Sequence, residues 1–185
     1  MRMRRLALAL LCTLAACSTK DDPKITAADI TGTVVLESYT LQLGWDYRLS
    51  GIYIDGDGIV WTYEHNGTPW YPEKLKRGEL SERDMVTKHK GARQIGTVDT
   101  RTLLDNARLI AAASRGHITR AHDDGTGDTG GTLEVAYRLD TTKRVYKEVI
   151  LSGSGDRTAT NASGEARALL DYLREVQTAV GYPAP

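Results

Sequence analysis

The chain has 185 residues, with 24 Lys and Arg set against 24 Asp and Glu, for a formal net charge of +0. That length suits one domain with a substantial core, and with no basic run the balance excludes a nucleic-acid binder. Both cysteines, Cys12 and Cys17, lie near the N-terminus, so the remaining chain must be held by packing and not by a disulfide frame.

Arg2, Arg4 and Arg5 open the chain, an apolar run from Leu6 to Leu14 follows, and the small residues Ala15 and Ala16 lead into Cys17. This order is that of a secretory signal, too short to span a bilayer as a helix. Leu14-Ala15-Ala16-Cys17 resembles the lipobox of bacterial lipoproteins. The resemblance implies diacylglyceryl transfer to the Cys17 thiol, cleavage of residues 1–16 before it, and acylation of the new amino group. Several acyl chains on one residue anchor stably where a single chain binds only marginally. Ser18 in place of Asp resembles the outer-membrane sorting pattern of Gram-negative lipoproteins, which implies a domain facing the periplasm. With Cys17 lipidated, no cysteine is left to act as a nucleophile.

Residues 17–29 are polar and contain Pro23, and they read as the lipidated cysteine and a flexible tether to a single domain over 30–185. Ile30 to Leu43 carries β-branched residues and is expected to hold the first strand. Gly51 to His65 reads as a β-hairpin turning at Asp55-Gly56-Asp57-Gly58. A two-residue Gly56-Asp57 loop pairs Ile54 with Ile59 and Ile52 with Trp61 on one face, and Tyr53 with Val60 on the other. Ser81 to Lys90 predicts a helix with a Ser81/Asp84 capping box and a stop at Gly91, though its apolar face is thin. Thr100 to Arg115 predicts a second helix, with Leu103, Leu104, Ala107, Ile110 and Ala111 on one stripe behind an Asp99 or Thr100 cap.

Thr132 to Leu151 reads as a second hairpin. Its apolar pattern favours a three- or five-residue connection that sets Leu139 against Val145, Val135 against Val149, and Leu133 against Leu151. Ala166 to Val180 is the strongest helix, with Leu169, Leu170, Leu173, Val176 and Val180 behind a Ser163 cap. His117 to Gly131 and Ser152 to Asn161 read as loops. The expected fold class is α+β: an antiparallel β-sheet built from hairpins over about 48–64 and 132–151, with two or three helices packed on one face. The hairpin around Gly56-Asp57-Gly58, followed by the helix start at Leu80-Ser81, is similar to a group of small uncharacterised bacterial lipoprotein domains. That likeness spans about residues 48–178 and implies no site residues.

No catalytic motif is assembled in the sequence. His117, His122, Asp123, Asp124 and Asp128 put two imidazoles and three carboxylates into twelve residues, a weak metal candidate whose spacing matches no motif. A solvated glycine-rich acidic loop explains the same residues. Asp55-Gly56-Asp57-Gly58 lacks the ligand series and the twelfth-position Glu of a calcium loop. Gly125 to Thr132 has Gly131 where a phosphate loop needs Lys, so no nucleotide is expected. Ser154 lacks the preceding glycine of a nucleophile elbow. His65 and His89 approach Glu64 and Asp84 only in sequence.

Aromatics are more telling. Phe is absent, and of 3 Trp and 9 Tyr most fall between Tyr39 and Tyr71. Alternation puts Trp61 and Tyr63 in the sheet core. Trp45, Tyr47, Trp70 and Tyr71 flank loop sequence and are the candidates for a partner-binding surface. The sequence therefore reads as a non-enzymatic, lipid-anchored cell-envelope protein without cofactor. Its expected contacts are the membrane, through Cys17, and an envelope protein or cell-wall partner, with an immunity or inhibitor protein as one specific form. The alternatives are an envelope hydrolase or metal-binding protein centred on His117 and His122, and a purely structural envelope component.

Overall fold

A computed structural model describes residues 25–42, 47–67, 78–120 and 130–183. Its elements run α1 (Ala27–Ile30), β1 (Val34–Gln42), β2 (Arg48–Asp55), β3 (Ile59–Asn66), β4 (Glu79–Ser81), α2 (Glu82–Lys88), β5 (Arg93–Thr97), α3 (Thr100–Ala107) and α4 (Ile110–Ala113). Then follow β6 (Ile118–Arg120), β7 (Gly130–Asp140), β8 (Val145–Gly153), β9 (Ala159–Asn161) and α5 (Gly164–Ala179). The fold is α+β. One antiparallel sheet runs in the order β5-β3-β2-β1-β7-β8-β9-β6, with β4 paired to β8.

The sheet is buried on both faces. On the helix face, Leu36, Ile52, Ile54, Val60, Ala136 and Leu151 pack with Leu103 and Ile110 of α3–α4 and with Leu169, Leu173 and Val176 of α5. Each leucine taken fully out of water there contributes on the order of 1.5–3 kcal/mol. On the far face, Tyr39, Leu41, Leu49, Tyr63, Leu133, Val135, Tyr137 and Tyr146 meet Leu80 and Met85 from β4 and α2. Helices α1, α3, α4 and α5 thus share one face, and the short α2 covers the other.

Helix starts follow the sequence closely. Ser81 and Asp84 form the capping box of α2, the Asp99 carboxylate accepts from the Thr102 amide at 2.8 Å, and the Ser163 hydroxyl accepts from the Ala166 amide at 3.1 Å. The single helix expected over 100–115 is two. The Leu109 amide bonds to Asn106 O, three residues back, while the Asn106 side chain donates to Thr102 O. That local competition interrupts the ladder, and it lets Leu103, Ala107, Ile110 and Ala113 all reach the core.

Both hairpins form, each one residue out of the expected register. In the first, Ile54 pairs with Val60, Tyr53 with Trp61 and Ile52 with Thr62, around a three-residue Gly56-Asp57-Gly58 turn. Gly58, at φ +80°, takes the left-handed position that closes such a loop. In the second, Asp140 pairs with Val145 and Leu139 with Tyr146 across the four residues 141–144. A bulge between Glu134 and Val135 then shifts the ladder. Leu133, Val135 and Tyr137 belong to the far face, while Val149 and Leu151 serve the helix face.

Two expected loops contain short strands, β6 and β9, and the domain starts before residue 30. Ile25 packs on the helix-face core, and Thr26 and Asp29 cap α1.

Candidate functional site

The most concentrated chemistry lies on the far face, around Glu37. Strand β1 is central and places Glu37 between Leu36, which packs in the helix-face core, and the buried Ser38. Across it α2 carries Lys88, and His89 follows at the helix C-cap. The Glu37 side chain and the Lys88 side chain are both 0% exposed. Lys88 Nζ donates to Glu37 Oε2 at 2.8 Å and to the Tyr137 hydroxyl at 3.0 Å, and it sits 3.6 Å from the Tyr39 ring centroid. The Tyr137 hydroxyl donates onward to Glu37 Oε2, and the Tyr63 hydroxyl donates to Oε1.

His89 Nε2 lies 3.0 Å from Glu37 Oε1, and the acceptor-only carboxylate assigns the proton to that nitrogen. Its ring rests 4.1 Å from Tyr53 and edge-on to Tyr63 at 4.9 Å. His65 Nε2 contacts Lys88 O, and the Tyr39 hydroxyl donates to Glu148 Oε1 at 3.0 Å.

Electrostatics follow from this geometry. Burial opposes ionisation of Glu37, but Lys88 and then His89 outweigh it and hold the carboxyl well below its usual range. Burial first, and the Glu37 charge second, push the Tyr63 and Tyr137 hydroxyls well above 10. Tyr53 is pushed up to about 12 by burial, then by Asp55 and Glu37. Burial also holds His89 below its ordinary value, against the pull of Glu37. Two donors on each oxygen leave Glu37 no free lone pair with which to abstract a proton. The arrangement fixes α2 to the sheet.

The sequence-predicted residues fare differently. Tyr47 is only 6% exposed and packs in the far-face cluster, so it is not a surface residue. The register puts its ring at the start of β2, on the same side as Leu49 and Tyr63. Tyr63 is buried as expected, and Trp61 is half-buried with its indole Nε1 donating to Asp55 Oδ2 at 2.7 Å. His117 is exposed at the start of β6. Cys17, Trp45, Trp70, Tyr71, His122, Asp123, Asp124 and Asp128 lie outside the described residues. Among the described residues no three His, Cys, Asp or Glu side chains gather to hold a metal, and no helix is long and apolar enough to cross a membrane.

The described residues that flank those outside segments converge. Gln42 pairs with both Arg48 and Gly130, Arg48 pairs with Asn66, and the Gly67 amide bonds to Tyr47 O. Arg120 pairs with Ala159, which pairs with Gly153. Gln42, Tyr47, Gly67, Arg120 and Gly130 therefore lie toward one end of the sheet. At the opposite end, Ile25, Ile30, Val35 and Ile110 line an open cavity of about 240 Å³, rimmed by Arg138 and Thr141.

Glu37 was missed because its strand reads as ordinary alternation, and Lys88 because a lysine in a last helical turn is common. The available signal was the thin apolar face of the 81–90 helix. A helix with so little apolar surface needs another kind of attachment to stay on a sheet.

Compared with protein-family models, with curated proteins and with solved structures, the chain gives no match.

Proposed function

We propose that this is a lipid-anchored cell-envelope protein whose α+β domain is a non-catalytic binding module. The observation that carries the reading is the charged, apolar and small-residue run that ends at Leu14-Ala15-Ala16-Cys17. The polarity of the domain supports it. Ile25, the described residue nearest Cys17, stands by α3–α4 with its carbonyl accepting from Arg108 Nε at 3.4 Å, at the sheet end opposite Gln42 and Gly130. An anchor at the first end leaves the second, where Gln42, Gly67 and Gly130 lie, to face a partner. Inhibition of an incoming toxin is one form such a role takes.

Two experiments test this. Cys17→Ala should abolish fatty-acid labelling and release the protein from the membrane fraction; unchanged anchorage in that variant refutes the anchor. Mild crosslinking in the native envelope should then capture a specific partner that is lost in Trp70→Ala/Tyr71→Ala. Equal recovery of abundant envelope material in both samples refutes the binding role.

A further inference from the structure

We infer that protonation of His89 releases α2 from the far face of the sheet, so that α2 is an acid-opened cover over the tyrosine-lined Glu37 site. The inference stands on the packing of the domain and does not depend on its anchorage.

Helix α2 has 7 residues, too few to persist on its own. Its attachments are few. Leu80 and Met85 supply buried apolar contact, β4 pairs with the edge of β8 over three residues, and Arg144 makes an exposed ion pair with Glu82. Exposed pairs hold little. Lys88 and His89 add their bonds to Glu37, with Lys88 also on Tyr137 and Tyr39, His89 against the Tyr53 and Tyr63 rings, and Lys88 O on His65. The helix-face core with α5 is a separate cluster and does not include α2. Opening of α2 is therefore a local event, in the sense that a weakly attached unit opens before the whole domain.

The groups around His89 decide the direction. From β1 come Glu37 and Tyr39, from β2 Tyr53, from β3 Tyr63 and His65, from β7 Tyr137, from β8 Glu148, and from α2 itself Lys88. Among the described residues Glu37 is the one carboxylate bonded to His89, and it already balances the Lys88 ammonium at 2.8 Å. The Glu148 carboxylate is engaged by the Tyr39 hydroxyl. Protonated His89 would be a second buried cation beside Lys88, sharing one anion.

Burial, with Lys88 and His65, keeps the folded imidazole below its ordinary value of 6.5. A released α2 returns it to that value. Between the two, only the open form takes up the proton, so opening is favoured up to about tenfold per pH unit. Glu37 is still ionised in the open form until about its ordinary 4.5, so the window between 6.5 and 4.5 belongs to the imidazole.

Hydrogen exchange of the full-length chain in mild detergent, followed from pH 7.5 to pH 5 and expressed as protection factors, tests this. The expected result is a fall in protection of the α2 amides below about pH 6.5, at most about tenfold per pH unit, while those of α5 hold, and no such fall in His89→Gln, which retains a donor for Glu37. Constant α2 protection, a parallel fall in α5, persistence of the effect in His89→Gln, or its loss in His65→Gln but not His89→Gln would each overturn the inference. Should His89→Gln not fold, NMR titration of the unmodified chain decides. The His89 ring resonance and the α2 amides must share one midpoint, and separate midpoints overturn the proposal.

Discussion

The Lys88 ammonium lies 2.8 Å from the Glu37 carboxylate with neither side chain exposed to solvent. Such a pair gives back in attraction roughly what it loses in hydration, but either member left alone is an uncompensated buried charge. Lys88→Met or Glu37→Leu alone should therefore destabilise the domain by about 3–5 kcal/mol. The double variant should recover only part of that loss: two apolar groups of similar volume need no counter-ion, but the Tyr63 and Tyr137 hydroxyls and the His89 N–H lose their acceptor. Chemical denaturation of the four proteins forms the cycle. Additive losses in the double variant would mean that the two residues contribute independently.

Acid should weaken the domain in a second stage, below the histidine window. Burial raises the Glu37 carboxyl, but Lys88 and His89 lower it further, so the folded value is depressed from 4.5. A depressed carboxyl contributes stability that is present above its unfolded value and lost as pH falls toward the folded one. Melting temperature, which already declines through the histidine window, should on this account fall further below about pH 4.5. In Glu37→Gln, which starts from a lower melting temperature, that part of the acid slope should be missing. A slope of equal steepness in the variant would assign the acid response to other carboxylates.

Gly51 sits between Tyr39 on β1 and Tyr63 on β3, opposite both. A Cβ there would come 2.4 Å from Ser38 O and 2.9 Å from the Tyr39 backbone and Cβ. The missing side chain is what lets β1 and β2 close tightly beneath a row of tyrosines. Gly51→Ala should cost about 1–3 kcal/mol, as overpacking of a rigid core does. The fall in melting temperature should come with a changed tyrosine near-ultraviolet circular dichroism signal, which local strain elsewhere would not produce.

Elements that depend on neighbouring residues were legible in the sequence. The Ser81, Asp99 and Ser163 caps, the α5 stripe and the existence of both hairpins follow from local bonds and periodicity. Register was not legible, and the reason is physical. Register is strongly specified when one face is wet and the other dry, because a one-residue slip exposes the core. Here both faces are dry. Trp61 suits the tyrosine side as well as the isoleucine side, and Val149 and Leu151 suit either partner row. The polar residues that break the tie are themselves buried: Glu37 under α2, and Glu134 held by Arg174 through two 2.8 Å bonds. Their partners lie 51 and 40 residues away, beyond the reach of any local pattern.

The Gly56-Asp57-Gly58 turn gives a last prediction, because the shifted register gives Asp55 a role the expected one would not. Asp55 Oδ1 accepts from the amides of Asp57 at 3.0 Å and Ile59 at 2.9 Å, while Oδ2 accepts from the Trp61 indole at 2.7 Å. One carboxylate thus closes the turn and fixes the indole beside Tyr53, whose ring is 6.2 Å away and nearly parallel. Asp55→Ala removes all three bonds and should destabilise by about 1–3 kcal/mol, the range for orphaning partly buried donors. Asp55→Asn keeps an acceptor oxygen and should lose less. Trp61 fluorescence should shift to the red in Asp55→Ala as the indole gains solvent. An unshifted emission maximum with unchanged stability would return the turn to a plain glycine loop in which the carboxylate is dispensable.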